Sequence, residues 1–169
     1  MEGRDLLIDA FGRISEEVYL AAEGLPTEAL SWRPDPDANS IAWLVWHLTR
    51  VQDDHVSHLA GIDQAYVADG WADRLGLVSD VRDLGYGHTS AQVGAVVVQS
   101  PEVLLAYFDA VHGRTVEYLA TIDATELDRI CDTNWDPPVT VGVRLVSVLN
   151  DCFQHAGQAR YLRGMFERR

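Results

Sequence analysis

An all-α four-helix bundle is the fold this sequence predicts, on three observations. Four long stretches place apolar side chains at helical spacing, with capping and breaking residues at several of their ends. No run shows the sustained period-two alternation of a half-buried strand. No segment repeats internally, so nothing calls for a solenoid.

The first helix is expected from Arg4 to Ala22, where Leu6, Leu7, Ala10, Phe11, Ile14, Val18 and Ala22 are separated by charged residues. Gly24 to Asn39, with Pro26, Pro34 and Pro36, reads as a connector holding one short turn after Thr27. Ser40 then caps a second helix that runs to about Ala60, with Ile41, Leu44, Leu48, Val51, His55 and Leu59 as its apolar stripe and Gly61 as its stop. Between Ile62 and Gln99 the pattern weakens at Gly70, Gly76, Gly85, Gly87 and Gly94, which predicts a partly helical insertion of short pieces and loops. Insertions of this length often cover a site. Within it, Val96 to Val98 is a β-branched run that could equally form a short strand.

Ser100-Pro101-Glu102 opens the third helix with a capping hydroxyl, a proline at the first helical position and an acid suited to the helix dipole, and the helix should reach about Leu119. Asp123 to Glu126 resembles a capping box for a short piece ending near Ile130. Trp135-Asp-Pro-Pro138 requires an extended turn, after which Thr140 caps a fourth helix to Met165.

With 169 residues and 47% hydrophobic composition, a single domain over 1–169 is expected. The net charge of −13, from 26 acidic against 13 basic residues, repels phosphate backbones and anionic lipid, so neither nucleic acid nor membrane is an expected partner. Cys131 and Cys152 are too few for a disulfide framework and too far apart for a CxxC motif, which suits a reducing cytoplasm. The charged opening MEGRDLLIDAFGRISEE lacks the apolar core of a secretion signal.

Chemistry concentrates in Asp151-Cys-Phe-Gln-His155-Ala-Gly-Gln158. Its Asp and His are four residues apart, so their side chains stack on one helix face close enough to share a metal ion. The apolar stripe of that helix centres near Leu145, Leu149, Cys152 and Ala156, leaving Asp151 and His155 on its flank. A third ligand from the second helix would complete a set of two imidazoles and one carboxylate, which leaves a divalent ion a position open for chemistry. Two histidines compete for that role: His55 sits nearer the middle of its stripe, while His47 is about a quarter turn off it. His47 and His58 are roughly 16 Å apart along the helix and cannot share an ion. His88 and His112 read as structural or solvated, and Cys152 as a small core residue. Arg50 and Arg160 could receive an anionic ligand group, although single arginines on amphipathic helices more often form ion pairs. The spacing of Asp151 and His155 is equally that of an ordinary surface pair.

The segments Asn39-Ser-Ile-Ala-Trp43-Leu-Val-Trp46-His47-Leu-Thr-Arg50 and Leu149-Asn-Asp151-Cys-Phe-Gln-His155-Ala-Gly-Gln158 resemble the DinB-like superfamily, over nearly the whole chain. More closely, they resemble its small actinobacterial branch of mycothiol transferase-like proteins and domains of unknown function, related to the N-terminal domain of mycothiol-dependent maleylpyruvate isomerase. The resemblance implies a four-helix bundle with a metal held by one residue of the second helix and two, i and i+4, of the last. By position these are His47, Asp151 and His155, which decides between His47 and His55 by analogy. Many members carry histidine where this chain has Asp151, whereas the isomerase branch uses a carboxylate one methylene longer. Zinc is the expected ion, with nickel or iron as alternatives, and a low-molecular-weight thiol is the expected cosubstrate. The implied activity is a metal-dependent thiol transferase acting on an electrophilic small molecule; a homodimer is the expected assembly. A hydrolase using metal-activated water and a non-enzymatic dimeric bundle that binds a small ligand are the rival readings.

Overall fold

Four long helices carry the computed structural model, which describes residues 2–169. In chain order the elements are α1 (Gly3–Ala22), α2 (Thr27–Ser31), α3 (Ile41–Ala60), α4 (Ala65–Ala68), α5 (Trp71–Leu75), α6 (Ser90–Ala95), α7 (Pro101–Thr121), α8 (Ala124–Asp128), β1 (Ile130–Asp132), β2 (Val139–Thr140) and α9 (Val141–Phe166). The expected caps are in place: Ser40, Ser100 and Thr140 each accept from the backbone N–H three residues on, and Gly61 ends α3 at φ 67°. That left-handed turn is open to glycine at no steric cost.

The long helices form a ring in the order α1, α7, α3, α9 around a continuous apolar core. Phe11, Ile14 and Val18 of α1 meet Leu104, Tyr107 and Phe108 of α7 there, together with Leu44 and Leu48 of α3 and Leu145, Val148 and Cys152 of α9. Burial of this kind contributes about 25 cal/mol per Å² of apolar surface and is the main stabilising term.

Two local features depart from the sequence reading. Ile130–Asp132 pairs antiparallel with Val139–Thr140, so an otherwise all-α chain carries a two-stranded ribbon around the Pro137-Pro138 turn. Strands of three and two residues are too short to show alternation. The Val96–Val98 run forms no strand: Val96 and Val98 enter the core and Val97 faces out, but no neighbouring strand lies beside them.

The insertion is the feature that matters for the site. Its loops fold back over α3, so residues 41–53 are buried on every side rather than along one stripe. Among the described residues, no helix is long and apolar enough to cross a membrane.

Candidate metal centre

The packing of α3 against α9 brings His47, Asp151 and His155 together, with one ligand-capable atom from each lying within 4.8 Å of the others. His47 Nε2 is 3.8 Å from Asp151 Oδ2, and His155 Nε2 is 3.7 Å from Asp151 Oδ1. The two imidazole centroids are 4.7 Å apart and nearly perpendicular at 78°. His47 is 2% exposed, whereas the Asp151 and His155 side chains are each 20% exposed, so the group opens outward on the α9 side.

Each imidazole has its orientation fixed from behind. His47 Nδ1 meets the carbonyl oxygen of Leu84, which can only accept, so Nδ1 carries the proton and Nε2 keeps its lone pair toward Asp151. His155 Nδ1 lies 3.0 Å from Gln158 Oε1, one turn along α9, and the same logic leaves its Nε2 free to accept. An outer acceptor on one ring nitrogen and an inward lone pair on the other is the arrangement that metal-ligating histidines adopt. Burial lowers the His47 pKa below its ordinary value and so favours the neutral imidazole that a metal needs.

Asp151 Oδ2 is buried with no hydrogen-bond partner. A buried carboxylate oxygen without a donor is costly, and the carboxylate faces two imidazole nitrogens presenting lone pairs, with the Tyr86 hydroxyl as a neutral group close by. A cation satisfies the carboxylate and both nitrogens at once. Atoms bound to one tetrahedral ion at about 2.1 Å lie about 3.4 Å apart. The observed separations of 3.8 and 3.7 Å are a little wider, within the reach of small side-chain rotations.

Trp43 stacks on His47 at 4.7 Å and 13°, and meets His155 edge-on at 6.1 Å. Gly85 closes the inner side: a Cβ there would lie 2.9 Å from His47 Nδ1, 3.0 Å from Trp46 and 3.1 Å from Trp43, and its φ of +95° is itself strained for other residues. Tyr86 places its ring edge-on to His47 at 5.0 Å, and burial together with the Asp151 carboxylate pushes its hydroxyl up to about 12. A groove of about 550 Å³ lined by Asn39, Phe153, Gln154, Gln158 and Tyr161 lies beside the triad. Gln158 links the two, since it lines the groove and holds His155.

The remaining candidates fall elsewhere. Arg50 is 0% exposed: its guanidinium donates to the carbonyls of Asp80, Val81 and Asp83 and to Tyr107 Oη, pairs with Asp53 at 3.5 Å and covers the Tyr66 ring at 4.0 Å. The anion-binding role expected of it gives way to a structural one, because none of its three nitrogens is left to greet a ligand. Arg160 pairs with Glu17 of α1 at 2.9 Å and lines a groove with Tyr19, Glu23 and Arg163 that contains no triad residue. His55, favoured over His47 by periodicity, lies two turns further along α3, with its Nδ1 3.5 Å from Asp54. His88 is structural, as expected: Nδ1 accepts from the Trp43 indole at 3.1 Å and Nε2 donates to Asp83 at 2.8 Å, so neither nitrogen is free. His112 stacks on Phe108, and Cys152 is fully buried in the core.

Leu84, Gly85, Tyr86 and Gln158 carried no functional reading in the sequence. Gln158 could have been found from its place one turn after His155. A backbone carbonyl leaves no residue-type signal, and the Gly-Tyr-Gly doublet was the only hint of the turn that presents it.

The DinB superfamily model matches residues 10–159. The chain is also similar to a crystal structure described as the conserved protein of a locus from Enterococcus faecalis, at 31% identity over 96% of each chain with a TM-score of 0.89. No curated protein matches it. A match over this much of the chain, carried by a bundle of the same architecture, establishes that the protein belongs to the DinB superfamily.

Proposed function

We propose that this chain holds one divalent metal ion through His47, Asp151 and His155 and acts as a thiol S-transferase on an electrophilic small molecule. The observation that carries the metal reading is the unpartnered Asp151 Oδ2 between two imidazoles whose Nε2 atoms are kept unprotonated. Zinc suits two imidazoles and one carboxylate best, with nickel or iron next. When bound, the ion supplies positive charge that favours the thiolate of a low-molecular-weight thiol, of the mycothiol type implied by the family resemblance.

The chain's own residues set the rest. Leu84 and Gln158 hold the two imidazoles in their accepting tautomers, while Trp43 and Gly85 keep water from the inner side. His88 is engaged on both nitrogens, and His55 lies two turns further along α3 beside Asp54. A thiol, with an ordinary pKa of about 8.5, ionises far more readily than water at about 15.7, and this favours thiol transfer over a hydrolase. The adjoining groove carries no charged lining residue, but does carry three side-chain amides and two aromatic rings, which suits the neutral, polar body of a substrate or thiol.

Pairing of two chains fits the outer face of α9. There Val143 and Val146, apart from the groove beside the triad, are exposed, and Asp151 is the only acid of that helix in a chain of net charge −13. A second copy meets least repulsion on that face. Val146→Asp should convert a dimer to a monomer in sedimentation, and wild-type protein that sediments as a monomer rejects the pairing.

The transferase is tested with metal-loaded protein, mercaptoethanol and monobromobimane. Conjugation above the uncatalysed rate is expected, with loss in His155→Ala. Turnover of ester or amide substrates without any thiol, or unchanged conjugation in His155→Ala, rejects the reading.

A further inference from the structure

The insertion carries Tyr86 across the triad on a turn that is fastened on both sides. His88 N donates to the Gly85 carbonyl at 3.2 Å, which places Tyr86 and Gly87 at the two corners of a four-residue turn, and Gly87 takes the positive φ of 70° that the second corner of a type II turn requires. Before the turn, the Leu84 carbonyl accepts from His47. After it, His88 is tied to Trp43 and Asp83, while Asp83 also accepts from Gly85 N at 3.1 Å. The segment that orients the candidate ligand His47 is therefore the one that presents Tyr86.

Packing does not account for the tyrosine. Its ring touches His47 edge-on at 5.0 Å, yet the residue is 61% exposed and contributes nothing to the core. A large aromatic side chain kept at the surface by an anchored turn, with one edge on a candidate metal ligand and the other face in solvent, is placed to meet something arriving from solvent. The chemistry of the neighbourhood points the same way. The chain has no lysine, and Arg50, Arg144 and Arg160 are each paired elsewhere, with Asp53, Asp132 and Glu17. The phenol O–H is thus a neutral donor beside the triad where cationic donors are lacking.

We propose that Tyr86 is a substrate-contacting residue of this centre, donating a hydrogen bond from its hydroxyl to a small anionic group, a thiolate foremost, seated beside His47, Asp151 and His155. The proposal rests on the reading of the triad as a metal site. Tyr86 is not a ligand in this account, and removing its hydroxyl leaves metal affinity intact while weakening the anion. Because Tyr86 fills no core position, Phe at that site leaves the fold unaffected.

The test uses full-length protein loaded with cobalt(II), in wild-type, Tyr86→Phe and Tyr86→Ala forms. Cobalt affinity, read from visible absorption, should agree within about twofold across the three, since no metal ligand is removed and the cation takes over the Asp151 carboxylate that the Tyr86 hydroxyl adjoins. Mercaptoethanol, followed by its sulfur-to-cobalt charge-transfer band, and azide in parallel, should each bind about tenfold more weakly to both variants, the size of one hydrogen bond to a charged group. Anion affinity unchanged in Tyr86→Phe overturns the proposal, as does a fall in cobalt affinity in that variant, which would make Tyr86 a ligand or a prop. Wild-type protein that takes cobalt but neither anion overturns it while sparing the triad. Failure of wild-type protein to take cobalt removes the metal reading itself, and this proposal with it.

Discussion

One buried and one half-buried carboxylate sit on neighbouring helices of this bundle, and their surroundings are opposite. Asp53 on α3 receives the backbone N–H groups of Ala65 and Tyr66 at 2.9 and 2.8 Å, the hydroxyls of Ser57 and Tyr107 at 3.3 and 3.0 Å, and the Arg50 guanidinium at 3.5 Å. Asp151 on α9 has an oxygen with no hydrogen-bond partner, and its polar neighbours are two imidazole nitrogens that can only accept and the neutral Tyr86 hydroxyl. The first cluster is closed: each charge is matched within the chain, and the result fastens the insertion to α3. The second is left incomplete in a manner that a cation would complete. Gln52 Oε1 and Gln64 Oε1 are also buried without a donor, so a bare acceptor alone does not mark a site; Asp151 differs in carrying a charge and in facing two imidazole nitrogens.

Breaking the closed cluster should have the largest effect. Asp53→Ala leaves the Arg50 charge uncompensated in the core and should lower the free energy of unfolding by about 3–5 kcal/mol, read from urea denaturation. A loss under about 1 kcal/mol would mean that the cluster is not what holds the insertion down. Gly85→Ala comes next, because the added methyl meets His47 Nδ1 at 2.9 Å in a backbone at φ +95°. It should cost about 1–3 kcal/mol and weaken metal binding in the same variant, since the turn that moves also carries the Leu84 carbonyl. Gln158→Ala sharpens the comparison from the other helix: it frees the His155 ring and should weaken zinc binding about tenfold in a chelator competition, with the unfolding midpoint unmoved. Equal zinc affinity in that variant would leave the amide without a role in the site.

A smaller effect follows from pH. Burial lowers the pKa values of His47, His55 and His112 from 6.5, so the folded chain refuses protons that the unfolded chain takes up. Stability is then complete above pH 6.5 and falls as pH drops through and below that value. The urea midpoint should therefore be lower at about pH 5.5 than at about pH 7.5, before most carboxylates begin to titrate. An unchanged midpoint would mean that these imidazoles are more solvated than their packing implies. The smallest effect is the counterpart of the first. In metal-free protein, Asp151→Asn removes a half-buried charge with one unpartnered oxygen, and the unfolding free energy should stay within about 0.5 kcal/mol or rise.

Much of the architecture was legible because local signals agreed with one another. Ser40 with Gly61, Ser100 with Pro101, and Thr140 mark helix ends through hydrogen bonds that depend on a few adjacent residues, and α3 begins and ends, and α7 and α9 begin, at those marks. The Asp151–His155 pair was legible for the same reason, as an i, i+4 relation on one helix. His47 was not legible from periodicity, which preferred His55. Amphipathic reasoning assumes one buried face, but here the insertion buries the other face of α3 as well, and His47 lies under it against Leu84 and Gly85. Family resemblance, not helical arithmetic, pointed to His47. Arg50 misled in the opposite sense: an arginine on an amphipathic helix suggests the surface, and nothing local announces that the carbonyls of residues 80, 81 and 83 will fold back to meet it. Long-range closure of the insertion is the common cause of both errors.

Zinc titration of protein purified without a histidine tag, against a chromophoric chelator and with Asp151→Asn alongside, tests the central claim most directly. One zinc ion per chain in the wild type, with affinity reduced more than about a hundredfold in the variant while its helical circular dichroism is retained, is the result expected from an ion held by that carboxylate. Equal zinc affinity in the two proteins, or no stoichiometric binding to the wild type, would contradict it.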